Sequence, residues 1–341
     1  MAKPTTVGTS VFRRERSSRT DASLRGSPFG ANGEPTGSIA EGPDENALRR
    51  ELLYGWWESA RVSRDRLPWR TTRDPWFTLI AELMLAQTQV ERVAPRFLRF
   101  IDRFPTPHSL AVSTPREVLE LWVGLGYNRR ALYLQESAKQ IEERFEGVVP
   151  HSLSGLLSLP GVGPYTARAV LAFAFGDDVG VVDTNTGRVL ARAFVNHLLA
   201  PSGAQALADA VVPGGEGRKW NLALMDLGSL VCRLREPDCA HCPLRAGSCR
   251  FYGARREGSI ESDDPARSSH GVSRPQARFA GSDREGRGRL LRAAIAGTIV
   301  REDLAAAAGW PEEPLRAERV AARLVVEGLL AQSHSGDYQL P

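Results

Sequence analysis

Four thiols, two carboxylates and a glycine pair are the residues of this chain whose types and spacing could do chemistry. The cysteines are confined to one stretch of the 341 residues, Cys232-x6-Cys239-x2-Cys242-x6-Cys249. With no secretion signal ahead of them, they read as ligands of a metal centre and not as a disulfide framework. Glu82 lies in Trp76-Phe77-Thr78-Leu79-Ile80-Ala81-Glu82-Leu83-Met84-Leu85-Ala86-Gln87-Thr88-Gln89. On a helix its neighbours three and four residues away are Thr78, Leu79, Leu85 and Ala86, so the carboxylate sits on a largely apolar surface. Desolvation there suits a general acid working near neutral pH, while a Glu at the edge of the core reaching out to water fits the same segment. Asp183 stands between the apolar pair Val181-Val182 and a helical stretch, Thr184 to Leu190. It fits a helix N-cap, and the macrodipole favours an anion there, which suits a group that stabilises a cation. In Leu159-Pro160-Gly161-Val162-Gly163-Pro164-Tyr165-Thr166-Ala167, two glycines precede a helix opened by proline. Its free amides could take a phosphate, and an ordinary tight turn between helices has the same pattern.

The elements that must position these groups are mainly helical. Apolar positions recur at helical spacing from Asp44 to Arg61 (Leu48, Leu52, Leu53, Trp56, Trp57), and several such stretches follow between Pro75 and Phe175. Strongly β-branched runs are short, as at Val179 to Val182. A composition of 42% hydrophobic and 25% charged residues supports about two domains with proper cores. Residues 1–43 are rich in Gly, Ser, Thr, Pro and Arg and are expected to form a disordered tail. Residues 253–283 read as a polar linker, and 284–341 as three helices and a hairpin, a winged-helix-like unit that either contacts DNA or caps the fold. No apolar run approaches the roughly 20 residues that span a bilayer, so no membrane partner and an intracellular location are expected. The net charge is +4, and Lys3, Lys139 and Lys219 are the only lysines, so the cations are nearly all arginine, which suits phosphate and base contacts.

In this order the segments resemble the helix-hairpin-helix DNA glycosylases, the endonuclease III superfamily, from about Asp44 to Tyr252. Within it they are most similar to MutY-type adenine DNA glycosylases. The resemblance is carried by Leu67-Pro68-Trp69-Arg70, by Glu82 to Val90, by Leu121-Trp122-Val123-Gly124-Leu125-Gly126-Tyr127, by Leu159 to Thr166 with Val182-Asp183-Thr184-Asn185, and by the cysteine loop. It implies a two-lobed, mainly α helix-hairpin-helix DNA glycosylase fold with an iron–sulfur cluster loop. A helical barrel, residues 70–182, would face a cluster lobe of residues 44–69 and 183–252, with DNA and an extruded base in the cleft between.

The resemblance further implies base excision from double-stranded DNA carrying a mismatch or an oxidative lesion: adenine opposite 8-oxoguanine or guanine would be cut from its sugar. Glu82 would protonate the adenine and later activate water, and Asp183 would stabilise or transiently bond the sugar cation. Tyr165 and Asn185 would orient Glu82 and the base. Leu67 and Trp69 would line the adenine pocket, Gln87 and Tyr127 would wedge into the duplex, and Gly161, Val162 and Gly163 would meet the DNA backbone. Cys232, Cys239, Cys242 and Cys249 would hold a 4Fe-4S cluster, a structural zinc being the alternative four thiolates permit. Bifunctional relatives place a lysine where this chain has Tyr165, so a monofunctional, monomeric enzyme of the cytoplasm and nucleoid is expected. Two other readings are a thymine or uracil glycosylase acting on G:T or G:U mismatches and a non-catalytic DNA-binding protein on the same scaffold. The chain departs from the family pattern at Asp65-Arg66, Ala86 and Asn128, and has six residues instead of five between Cys242 and Cys249.

Overall fold

The computed structural model describes residues 43–60, 67–245, 247–256, 264–267, 269 and 278–341. The expected N-terminal tail, the Asp65-Arg66 departure and most of the expected linker lie outside the described residues.

Proline punctuates the helix starts. Helices Pro75–Leu85, Pro107–Ala111, Pro115–Trp122, Pro164–Val170, Pro201–Ala210 and Pro314–Val326 all open on proline, whose missing N–H costs nothing in the first turn. Caps reinforce several of them. Asp74 accepts from the amides of Trp76 and Phe77, and Thr106 and Thr114 form reciprocal capping boxes with Ser109 and Glu117.

Two hydrophobic cores result. The first gathers helices Pro75–Leu85, Val90–Arg103, Pro115–Trp122 and Arg129–Phe145 and the short pair Leu153–Leu157 and Pro164–Val170. At its centre, Pro75–Leu85 packs against Val90–Arg103, Arg129–Phe145 and Pro164–Val170, and eight of its eleven residues are buried. A helix apolar almost all round must be enclosed on all sides, and that enclosure is what surrounds Glu82. The second core joins helix Pro43–Ala60 to Thr184–Val189, Pro201–Ala210 and Gly217–Leu230. Two helices, Pro164–Val170 and Thr184–Val189, run on as wider π-turns to Phe175 and Val195.

The β-branched run Val179 to Val182 forms no regular element and pairs with no strand among the described residues. The Asn221 side chain takes its place, accepting from the Val181 amide at 2.8 Å and donating to the Val179 carbonyl at 2.9 Å. Part of the expected linker is built into the fold. Asp264 receives the Arg192 guanidinium, Nε at 2.9 Å, and the Ser269 hydroxyl accepts from the Leu199 amide at 2.9 Å.

The C-terminal residues form helix Asp283–Ala296, a short helix ending at Ala308, helix Pro314–Val326 and an antiparallel ribbon of Ala331–Gln332 with Tyr338–Gln339. Ile299 bridges to Tyr338 as a third rung. Leu290, Leu324 and Tyr338 belong to the same apolar cluster as the first core, so this unit packs onto that core.

Candidate active site

A pocket of about 520 Å³ lies where the two cores meet, lined from the first by Glu82, Leu85 and Gln87 and from the second by Asp183, Asn185 and Leu222. Leu67, Trp69 and Tyr165 complete the set of sequence-expected residues on its walls.

Glu82 is 6% exposed. Burial pushes its carboxyl up to about 7, reinforced by the negative charge of Asp183, while a hydrogen bond donated by the Tyr165 phenol and the charge of Arg70 pull the other way. At neutral pH a carboxyl so placed is shared between its acid and base forms, the condition for giving a proton and then accepting one. The Tyr165 phenol is held well above its ordinary pKa, first by burial and then by the two carboxylates, so it remains a donor.

Asp183 has opposite surroundings. As the N-cap of Thr184–Val189 it accepts through Oδ1 from the amides of Asn185 and Thr186 at 2.9 and 2.7 Å, and through Oδ2 from Asn185 Nδ2 at 2.7 Å. Behind it, buried Arg188 donates to Asn185 Oδ1 at 2.8 Å, to the Thr184 carbonyl at 2.7 Å, to the Gly228 carbonyl at 2.6 Å and to the Cys232 carbonyl at 3.1 Å. Gly228 permits this contact: a Cβ there would stand 2.6 Å from the Asn185 carbonyl oxygen. One guanidinium thus ties the capping turn to the first cysteine.

Residues 80–211 match the family described as HhH-GPD superfamily base excision DNA repair protein. An adenine DNA glycosylase of Mycolicibacterium smegmatis is 39% identical over 294 residues, 84% of this chain and 94% of that protein. One from Mycobacterium tuberculosis is 39% identical over 85% of this chain and 92% of its own length. The chain belongs to the adenine DNA glycosylase family. Among solved structures, a thermostable thymine-DNA glycosylase is 31% identical with a TM-score of 0.56, covering 62% of this chain and 97% of that one.

The remaining expected residues lie off the pocket. Tyr127 is 45% exposed at the tip of the turn joining Pro115–Trp122 to Arg129–Phe145. Gly161, Val162 and Gly163 form the turn between the short helices, where Val162 is buried and Gly161 has φ +77°. A Cβ on Gly161 would also press to 2.9 Å from Tyr133, so glycine is required there on two counts.

The four cysteines are half-buried and none is in a disulfide. Burial pushes the Cys242 thiol up to about 12 and that of Cys249 up to about 11, and the neighbouring cysteines add to both shifts. The Arg192 guanidinium lies 3.4 Å from the Cys232 sulfur. Among the described residues no three ligand-type side chains close on one point as the ligands of a single ion do. Four thiols in a desolvated loop with a buried guanidinium beside them fit an anionic thiolate cluster, whose charge the arginine offsets.

Two further pocket residues, Arg70 and Arg218, were assigned no role from the sequence. Arg70 forms a bidentate pair with Asp226 at 2.7 and 2.8 Å, and Trp57 Nε1 donates to the same carboxylate at 3.0 Å. Arg218 lines the pocket and donates to the carbonyls of Phe173 and Arg70. Each partner is distant in sequence, so spacing alone could not have found them.

Proposed function

We propose that the pocket removes adenine mispaired with 8-oxoguanine or guanine from duplex DNA, with Glu82 as general acid and base and Asp183 as the anion facing the sugar. The observation that carries the reading is the convergence on one pocket of a carboxyl raised to about 7 and a carboxylate held by three N–H donors. Protonated Glu82 gives its proton to the adenine ring as the N-glycosidic bond breaks, and the bonding pair leaves with the base. The positive charge left on C1′ and the ring oxygen is stabilised by Asp183, or is taken up by it as a transient C–O bond. Glu82, now a carboxylate, accepts a proton from water as its oxygen attacks C1′, and the acid is restored.

Tyr165 steadies Glu82 through its hydrogen bond, Asn185 steadies Asp183, and Leu67 and Trp69 supply apolar walls for the base. Gln87 and Tyr127 enter the duplex to offset the cost of unstacking, and the Gly161-Val162-Gly163 turn meets the backbone. The cysteines hold a 4Fe-4S cluster that braces the lobe carrying Asp183. Such a cluster would supply loop cohesion and take no part in bond breaking.

Among the described residues no lysine lines the pocket, and Lys219 pairs with Glu58 at 2.9 Å, which supports a monofunctional enzyme. The C-terminal helices and ribbon have the order of a winged helix, with Ile299 as the first strand position. No described helix is long and apolar enough to cross a membrane; the reading is of a monomer acting on chromosomal DNA in the cytoplasm. The test is base release from duplexes holding A:8-oxoguanine, A:G, T:G or U:G, with borohydride added in parallel. Release of adenine without a trapped adduct is expected. Preferential release of thymine or uracil would overturn the substrate, and efficient trapping would overturn the monofunctional reading.

A further inference from the structure

The two exposed tips assigned to the duplex, Gln87 and Tyr127, share an uncommon backbone state: both are non-glycine residues in the left-handed region, at φ +56° and +48°. Each stands in a turn between helices, Leu85 to Val90 and Trp122 to Arg129, and some element must hold two strained turns in register. That element is Arg130, in the first turn of Arg129–Phe145. Its Nη1 donates to the carbonyls of Leu83, Met84 and Ala86 at 2.6, 3.3 and 2.5 Å, which are otherwise orphaned at the C-terminal end of the Glu82 helix. Its Nη2 donates to Thr88 Oγ1 at 3.0 Å and to the Gly126 carbonyl at 3.2 Å, one residue from each tip. The guanidinium also lies over the rings of Trp122 and Tyr127, 5.7 and 5.2 Å from their centroids. Thr88 Oγ1 closes the arrangement by approaching the Leu125 carbonyl at 3.3 Å.

We propose that Arg130 is a positioning residue that fixes the Gln87 and Tyr127 tips relative to each other and to the end of the Glu82 helix, and thereby governs base extrusion without touching the base. The inference rests on the reading of those tips as wedges. A lysine cannot replace it, because one ammonium lacks the planar fork that reaches acceptors on both turns at once.

The test compares the full-length protein with Arg130→Lys, Arg130→Met, Gln87→Ala and Tyr127→Ala. Single-turnover adenine release is measured opposite 8-oxoguanine and opposite an abasic site, where the adenine is less well held in the stack. 2-Aminopurine beside the target reports unstacking, and thermal unfolding reports the fold. Both Arg130 variants are expected to slow release opposite 8-oxoguanine at least ~10-fold and to lose the unstacking signal, with most of the rate recovered opposite the abasic site, where less unstacking is required. Arg130→Met is also expected to add little to Tyr127→Ala. Equal losses on both substrates would make Arg130 merely structural and overturn the proposal, as would an unaffected rate in Arg130→Lys and Arg130→Met while Tyr127→Ala is impaired. Should Gln87→Ala and Tyr127→Ala both behave as wild type, the wedge reading itself fails and takes the proposal with it. If Arg130→Met does not fold, Arg130→Lys, which keeps the stem and the charge, carries the same comparison.

Discussion

Glu82 and Asp183 face one pocket from two lobes that treat a carboxylate in opposite ways. On the side of the first core Glu82 belongs to a helix buried almost all round, where the Tyr165 phenol donates to it and burial dominates its pKa. On the side of the second core Asp183 sits at a helix start, where two amides and a side-chain amide meet its oxygens and a buried guanidinium stands behind them. The two surroundings suit the same functional group to different work: withheld solvation favours an acid that can give and take a proton, and N–H donors hold the other carboxylate in place.

That contrast is broken most severely by removing either group. Glu82→Gln is expected to reduce single-turnover adenine release by about 10²- to 10⁴-fold, the range for loss of a general acid, and Asp183→Asn to reduce it comparably. A residual rate within tenfold of wild type in either variant would dissolve the division of labour. Next in size is the brace behind Asp183. Arg188→Leu removes the guanidinium donor to the carbonyls of Thr184 and Gly228 and leaves that of Cys232 only the 3.4 Å contact from Arg192 Nη1, and is expected to cost about 3–5 kcal/mol, read as a lower denaturation midpoint.

The pH dependence of stability sharpens the barrel side. Because folding raises Glu82 from 4.5 to about 7, the folded state binds more protons than the unfolded chain in that window. Its contribution is full below about 4.5 and is lost as pH rises through about 7, on the order of 3 kcal/mol in all. Glu82→Gln is expected to flatten that slope and to raise the melting temperature above neutral pH while activity falls; a variant as pH-sensitive as wild type would show that Glu82 is not the titrating group. The smallest effect is expected of Tyr165→Phe. Removing the donor that lowers the Glu82 pKa moves the alkaline limb of the rate profile to higher pH, and a limb displaced to lower pH would contradict the assigned hydrogen bond.

The parts of this site legible in the sequence are those whose signal is local. Glu82 stood out because an acid among Leu79, Leu83 and Leu85 conflicts with its own helix, and Asp183 because an acid before Thr184 is a capping pattern. Pro164 likewise marked a helix start by its own residue type. The cysteine spacing pointed to a ligand loop without knowledge of what the loop packs on. Arg188, Arg192 and Asp226 were opaque, since a charged residue on a helix reads as solvent-facing until its distant partner is known. Asp264 shows the point most plainly: it lies in a segment of polar linker composition, yet it engages an arginine 1% exposed that also touches the Cys232 sulfur. Arg130 was hidden differently, because its acceptors are backbone carbonyls, which every sequence has.

The most direct test of the account is the pH profile of single-turnover adenine release from an A:8-oxoguanine duplex, measured on wild type and Glu82→Gln. The division of labour predicts a wild-type rate that falls as pH rises past about 7 and a variant with little rate and no such limb. A wild-type rate flat through neutrality, or a variant retaining both rate and limb, would contradict it.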